Sequence, residues 1–142
     1  MILLDTDVLS ALMLRDPEPV VVAWVDRQPP DSVGITAVTA FEIQYGIELL
    51  SAGRQRQRLE AAFATALKED FPDRILPFDE VAARHAALLA ARQRRAGRPV
   101  EIRDIQIAGI AAVQNATLAT RNTRHFQDFG IRLVNPSAPA RK

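Results

Sequence analysis

Short runs that are apolar at their centres recur along this chain, separated by longer segments with helical spacing. Ile2-Leu3-Leu4, Val33-Gly34-Ile35, Arg74 to Phe78, Thr117 to Thr120 and Ile131 to Val134 read as strands. A strand with no polar alternation has no face to give to water and must be covered on both sides. Such strands in a β, α, β order predict a parallel sheet of four to five strands between two layers of helices. The expected class is a three-layer α/β fold. At 142 residues and 48% hydrophobic, the chain has the size and apolar content of one core, so a single domain over residues 1–142 is expected.

The helices between these runs have their own punctuation. Val8 to Leu14 follows Thr6 or Asp7 as N-cap, and Pro17 and Pro19 restart a second helix through Trp24 that Pro29-Pro30 stops. A third helix begins at Thr39, carries Phe41, Ile43, Ile47 and Leu50, and ends at Gly53; a fourth runs from Arg54 to Phe71. Asp79 caps an alanine- and leucine-rich helix that reaches Arg95. After the break at Ala96-Gly97-Arg98-Pro99, Asp104 precedes a small-sided helix from Ile105 to about Asn115, which is expected to be central.

Composition removes several chemistries. With no cysteine there are no disulfides, thiolate metal sites or thiol nucleophiles. No apolar run approaches the roughly 20 residues of a membrane span, and no leader precedes the first one, so a cytoplasmic location is expected. His85 and His125 lack any zinc-ligand spacing, the serines lack a nucleophile elbow, and there is no glycine-rich phosphate loop. All but Lys68 and Lys142 of the 18 basic residues are Arg. They cluster at Arg54, Arg56, Arg58 and at Arg92, Arg94, Arg95, Arg98, either as solvated helix faces or as planar donor forks suited to phosphate.

In buried parallel sheets functional groups gather beyond the carboxyl ends of the strands. Asp5 ends the first run, Glu42 lies one turn into the helix after the second, and Asp104 opens the helix before the fourth. Each has a structural role open to it: Asp5 in a turn, Glu42 in a Thr39-x-x-Glu42 capping box, Asp104 as a cap. Together they suit a metal. Glu42 lies between Phe41 and Ile43, Asp104 meets a helix expected to be buried, and buried acids need partners. Crowded carboxylates repel unless a cation neutralises them, and hard oxygens select Mg²⁺ or Mn²⁺. The hydroxyls of Thr6 and Thr120, at strand ends, are candidates to orient ligands or phosphate. Arg92, Arg94, Arg95, Arg98 and Arg103 flank Asp104 and are candidates to guide a phosphate backbone.

The start MILLDTDVLSAL, the segments VTAFEIQYGI and GRPVEIRDIQIAGIA and the ending LATRNTRHFQDFGIRLVNP, in that order, resemble PIN-domain ribonucleases of the VapC toxin type, from type II toxin-antitoxin pairs. The resemblance covers nearly the whole chain. It implies a PIN-like fold and a metal-dependent endoribonuclease that cleaves RNA phosphodiesters with metal-activated water, using Mg²⁺ (or Mn²⁺). It makes Asp5, Glu42 and Asp104 the metal-binding acids. It also implies a small cognate VapB-like antitoxin and a homodimer, for which the sequence offers helices with spare apolar faces, such as Ile43, Ile47 and Leu50. The fourth catalytic position of the pattern, often an Asp, falls on Asn122, whose amide adds no charge.

Two other readings compete. Asp5-Thr6-Asp7 also resembles the opening of haloacid-dehalogenase-type phosphatases, with Asp5 as nucleophile and Asp7 as acid, but those need a late lysine and a late acid pair. A receiver domain would need that lysine too. Alternatively the chain is a non-catalytic nucleic-acid-binding module whose acids are caps; it would shift RNA on a gel without shortening it.

Overall fold

A computed structural model of the chain describes residues 1–138; residues 139–142, Lys142 among them, lie outside the described residues. The elements in order are β1 (Ile2–Leu4), α1 (Thr6–Leu12), α2 (Pro19–Asp26), β2 (Val33–Thr36), α3 (Ala37–Glu48), α4 (Arg54–Thr65), β3 (Ile75–Leu76), α5 (Glu80–Arg95), α6 (Ile102–Val113), β4 (Thr117–Ala119), α7 (Thr123–Phe126) and β5 (Arg132–Val134). The five strands form one parallel sheet in the order β3-β2-β1-β4-β5. The expected three-layer α/β class is what forms, with all five strands present.

Neighbouring residues of a strand point to opposite faces, and here both faces are buried. Leu4 and Ile35 pack on one side with Val8, Ile43, Ile47, Phe63 and Phe71. Leu3 and Leu118, paired across β1 and β4, pack on the other with Ile107, Ile110, Ala111 and Phe126. The chain steps from β1 to β2 to β3 in one direction, then crosses back to place β4 on the far side of β1. Strand order therefore reverses between β1 and β4, and the crevice at their carboxyl ends is where such sheets carry ligands.

Several boundaries differ from the sequence reading, each for a local reason. Asp5 itself caps α1, its side chain accepting from the Thr6 backbone N–H, so neither Thr6 nor Asp7 is the cap. Thr36 caps α3 by accepting from the Thr39 N–H at 3.0 Å, so α3 starts before Thr39 and no Thr39–Glu42 capping box forms. Asp104 sits inside the first turn of α6, because Ile102 and Arg103 are already helical. The stretch Arg54 to Phe71 is α4 followed by a π-helical turn, Ala66–Asp70, and β3 shrinks to two residues. Helix α7 is an extra element.

The face carrying Ile43 and Ile47 is not spare: both are buried against the sheet, and Leu50 is partly covered. The exposed apolar stripe of α3 is instead Phe41, Tyr45 and Leu49, at 58%, 50% and 69% exposure.

The small-sided α6 seats directly on α5. A Cβ at Gly109 would stand 2.8 Å from the Ala82 carbonyl oxygen and 3.0 Å from the Ala86 Cβ. Gly109→Ala should therefore lower the melting temperature. The helix-propensity gain of about 1 kcal/mol is smaller than an overpacking cost of roughly 1–3 kcal/mol where backbone must move. A higher melting temperature would show that α5 yields freely.

Candidate active site

Asp5 sits where β1 ends, and β4 holds it there. Its backbone N–H donates to the Ala119 carbonyl at 2.8 Å, continuing the β1–β4 ladder by one residue. Its Oδ2 accepts from the Thr120 hydroxyl at 2.8 Å and its Oδ1 from the Thr6 N–H at 2.9 Å. Asp5 is only 6% exposed. Burial pushes its carboxyl up to about 6; the Thr120 hydrogen bond opposes this, and the nearby charges of Asp7 and Asp104 add to it.

Glu42 approaches from α3. Its Oε1 accepts from the Thr6 hydroxyl at 2.9 Å, and that hydroxyl lies 3.2 Å from the Thr39 hydroxyl. Thr6 therefore orients an acid, and Thr120 does the same for Asp5; both hydroxyls, candidates in the sequence to orient ligands or phosphate, are engaged by carboxylates instead. Glu42 Oε2 also lies 3.6 Å from Arg103 Nη1. From α6, Asp104 places Oδ2 3.5 Å from His125 Nδ1, and its carboxyl is raised chiefly by burial, with His125 opposing and Glu101 and Glu42 reinforcing.

A cleft of about 640 Å³ opens beside these acids, lined by Glu42 and Asp104 with Arg98, Arg103, Arg124 and His125 on its walls. Arg98 also faces Asp128 at 3.8 Å. A larger cavity, about 720 Å³ between α1, α2 and α4, contains none of the three acids. Arg92, Arg94 and Arg95 are exposed and lie outside the cleft lining. In the other cluster, Arg56 bridges Glu48 and Glu60, and Arg58 donates to the Met13 carbonyl, so both are used in packing.

Among the described residues, no three His, Asp or Glu side chains stand close enough to share one ion. Glu42 Oε2 faces Arg103 and Asp104 Oδ2 faces His125, so two of the three acids carry a basic neighbour. The donor set still fits a hard divalent ion. It is all oxygen, Asp104 adds to the raised proton affinity of Asp5 and Glu42 to that of Asp104, and the Asp7 Oδ1 is buried with no hydrogen-bond partner.

Asn122 follows the end of β4. Its backbone N–H donates to the Thr120 hydroxyl at 3.0 Å, while its exposed side chain makes no hydrogen bond among the described residues. Sequence reasoning passed over Asp7, Arg121 and His125 as parts of this site. Arg121 donates its N–H to Asp7 Oδ2 at 3.1 Å and reaches Glu18 with its guanidinium at 3.7 Å. Nothing local marks Asp7 and Arg121, whose contact joins positions 114 residues apart in the chain, and His125 meets Asp104 only across β4.

The family profile for the PIN domain matches residues 2–131. This chain belongs to the PIN-domain family, among the VapC ribonucleases. It is 35% identical to the VapC ribonuclease Y4jK of Sinorhizobium fredii, over 99% of this chain and 100% of that protein. It is 34% identical to the toxin FitB of Neisseria gonorrhoeae, covering 96% and 98%. A solved structure of FitAB bound to an IR36 DNA fragment contains a chain that superposes with a TM-score of 0.91 at 33% identity, covering 99% of each. The crevice between β1 and β4 is thus the carboxyl edge of a PIN-domain sheet, with Asp5, Glu42 and Asp104 around it.

Proposed function

We propose that this PIN domain, spanning the chain, is the endoribonuclease toxin of a toxin-antitoxin pair and that it hydrolyses RNA phosphodiesters with Mg²⁺ or Mn²⁺. The observation that carries the reading is the gathering of Asp5, Asp104 and Glu42 where strand order reverses, with the proton affinity of the two aspartates raised chiefly by burial and further by neighbouring acids. Asp5, Glu42 and Asp104 would hold the ion, with Asn122 at the fourth position of the family pattern. The ion, when bound, supplies an activated water and neutralises charge on the phosphate.

The chain's own residues do the rest. Thr120 and Thr6 keep one oxygen each of Asp5 and Glu42 in a fixed orientation, so little reorganisation accompanies binding. Arg98 and Arg103, the two of the five flanking arginines that line the cleft, attract the RNA backbone. His125, an ordinary surface histidine in the sequence reading, stands at the Asp104 oxygen. The phosphatase reading loses support because Lys68 lies on the π-helical turn, away from the cleft lining.

A small VapB-like antitoxin as partner is supported by the likeness to the toxin FitB and to the FitAB structure. A homodimer is supported by the stripe Phe41, Tyr45 and Leu49, whose first two rings stack at 5.9 Å beside Glu42. No helix among the described residues is long and apolar enough to cross a membrane, and a cytoplasmic site of action suits an RNA substrate.

Purified protein should cleave structured RNA in Mn²⁺ or Mg²⁺ and stop in EDTA. Expressed alone it should arrest a bacterial host, with Glu42→Gln relieving the arrest at matched soluble protein. RNA shifted on a gel but never shortened, with or without chelator, would instead identify a binding module.

A further inference from the structure

The carboxylate that the neutral amide at position 122 leaves wanting is available a few residues from Asp5. Asp7 lies in the first turn of α1, two residues beyond Asp5, and the two aspartates grip consecutive residues of the same β4 tail. Asp5 Oδ2 accepts from the Thr120 hydroxyl at 2.8 Å, and Asp7 Oδ2 accepts from the Arg121 N–H at 3.1 Å. This pairing leaves the Asp7 Oδ1 with no partner, although it is buried from solvent. A buried carboxylate oxygen without a donor is costly, and such atoms call for a reason.

We infer that Asp7 is a fourth carboxylate of the metal site, supplying through its Oδ1 the charge that Asn122 does not. The inference rests on the metal-dependent reading above. Asn122 is poorly placed for the role: its side chain is exposed and unbonded, and its backbone is used to hold Thr120.

Arg121 then has a defined part. Its Nε stands 3.7 Å from Asp7 Oδ2 and its Nη1 3.7 Å from Glu18 Oε2, and its Nη2 donates to the Asp7 carbonyl. These contacts fix one Asp7 oxygen and leave the other free, while the guanidinium charge opposes a cation nearby. Arg121 is a positioning residue that also weakens metal binding.

The experiment is calorimetric titration of the full chain with Mn²⁺, beside melting curves with and without the ion. Asp7→Asn keeps an acceptor for the Arg121 N–H but removes the charge. It should weaken Mn²⁺ binding about tenfold and shrink the Mn²⁺-induced rise in melting temperature. Adding Asn122→Asp to that variant should recover part of the loss. Arg121→Gln should tighten Mn²⁺ binding several-fold, and it decides the matter if Asp7→Asn fails to fold. Mn²⁺ affinity unchanged in both single variants, with only the metal-free melting temperature altered, would make Asp7 an ion-pair partner of Arg121 and overturn the inference. A parent chain that binds no Mn²⁺ would instead overturn the metal reading itself, and this inference with it.

Discussion

Asp104→Asn and Asp5→Asn should each lower RNA cleavage by on the order of 100- to 1,000-fold while leaving the fold intact, because each removes a charge preorganised at the site and conserves shape. The expectation for Asp104 rests on its position in the first turn of α6, where its Oδ2 faces His125 at 3.5 Å and the cleft lies open beside it. Asp5 is the more embedded of the two, since both of its oxygens already accept hydrogen bonds. Cleavage of a labelled RNA in Mn²⁺, with circular dichroism to check the fold, measures the effect. A folded double variant that cuts as fast as the parent would remove Asp5 and Asp104 from the chemistry.

The second large effect is on stability. The Asp5 carboxyl gives up its proton near pH 6 in the folded chain, against 3.8 ordinarily, chiefly because burial disfavours the charge. Between those pH values the folded state holds a proton that the unfolded state has lost, so the Asp5 contribution to stability falls as pH rises through that window. A difference of about 2 pH units corresponds to about 3 kcal/mol. In EDTA, Asp5→Asn should match the parent near pH 4 and exceed it by up to about 3 kcal/mol at pH 7, read from urea midpoints. Divalent metal should narrow that gap by stabilising the ionised parent. A gap that does not change with pH would mean that Asp5 is not desolvated in the folded chain. The pH-dependent gap, in contrast, would show that the same residue limits stability and serves function, a trade frequent at active sites.

Much of the architecture is legible in the residues themselves. The apolar runs have no polar face, which forces a sheet covered on both sides, and proline, glycine and aspartate mark most helix ends. Asp5 at the end of the first run, Glu42 in an apolar window and Asp104 before a small-sided helix stand out by position alone. Boundaries that depend on side-chain capping were misread by a turn, because Thr36 and Thr39, or Asp5, Thr6 and Asp7, offer equivalent oxygens and only the folded backbone chooses among them.

What the tertiary structure decided is which distant residues meet. Spacing gives Phe41, Ile43, Ile47 and Leu50 as apolar positions of the third helix without saying which of them face the sheet. Docking buried Ile43 and Ile47 and left Phe41, with Tyr45 and Leu49, in solvent. Strand order is likewise non-local: only when β4 returns beside β1 do Thr120 and Arg121 reach Asp5 and Asp7, across more than a hundred residues of chain. The acids are therefore written in the sequence, whereas their partners, their raised proton affinities and the unpaired oxygen of Asp7 exist only because a crossover places two strand ends side by side, where burial withdraws the water that would otherwise solvate them.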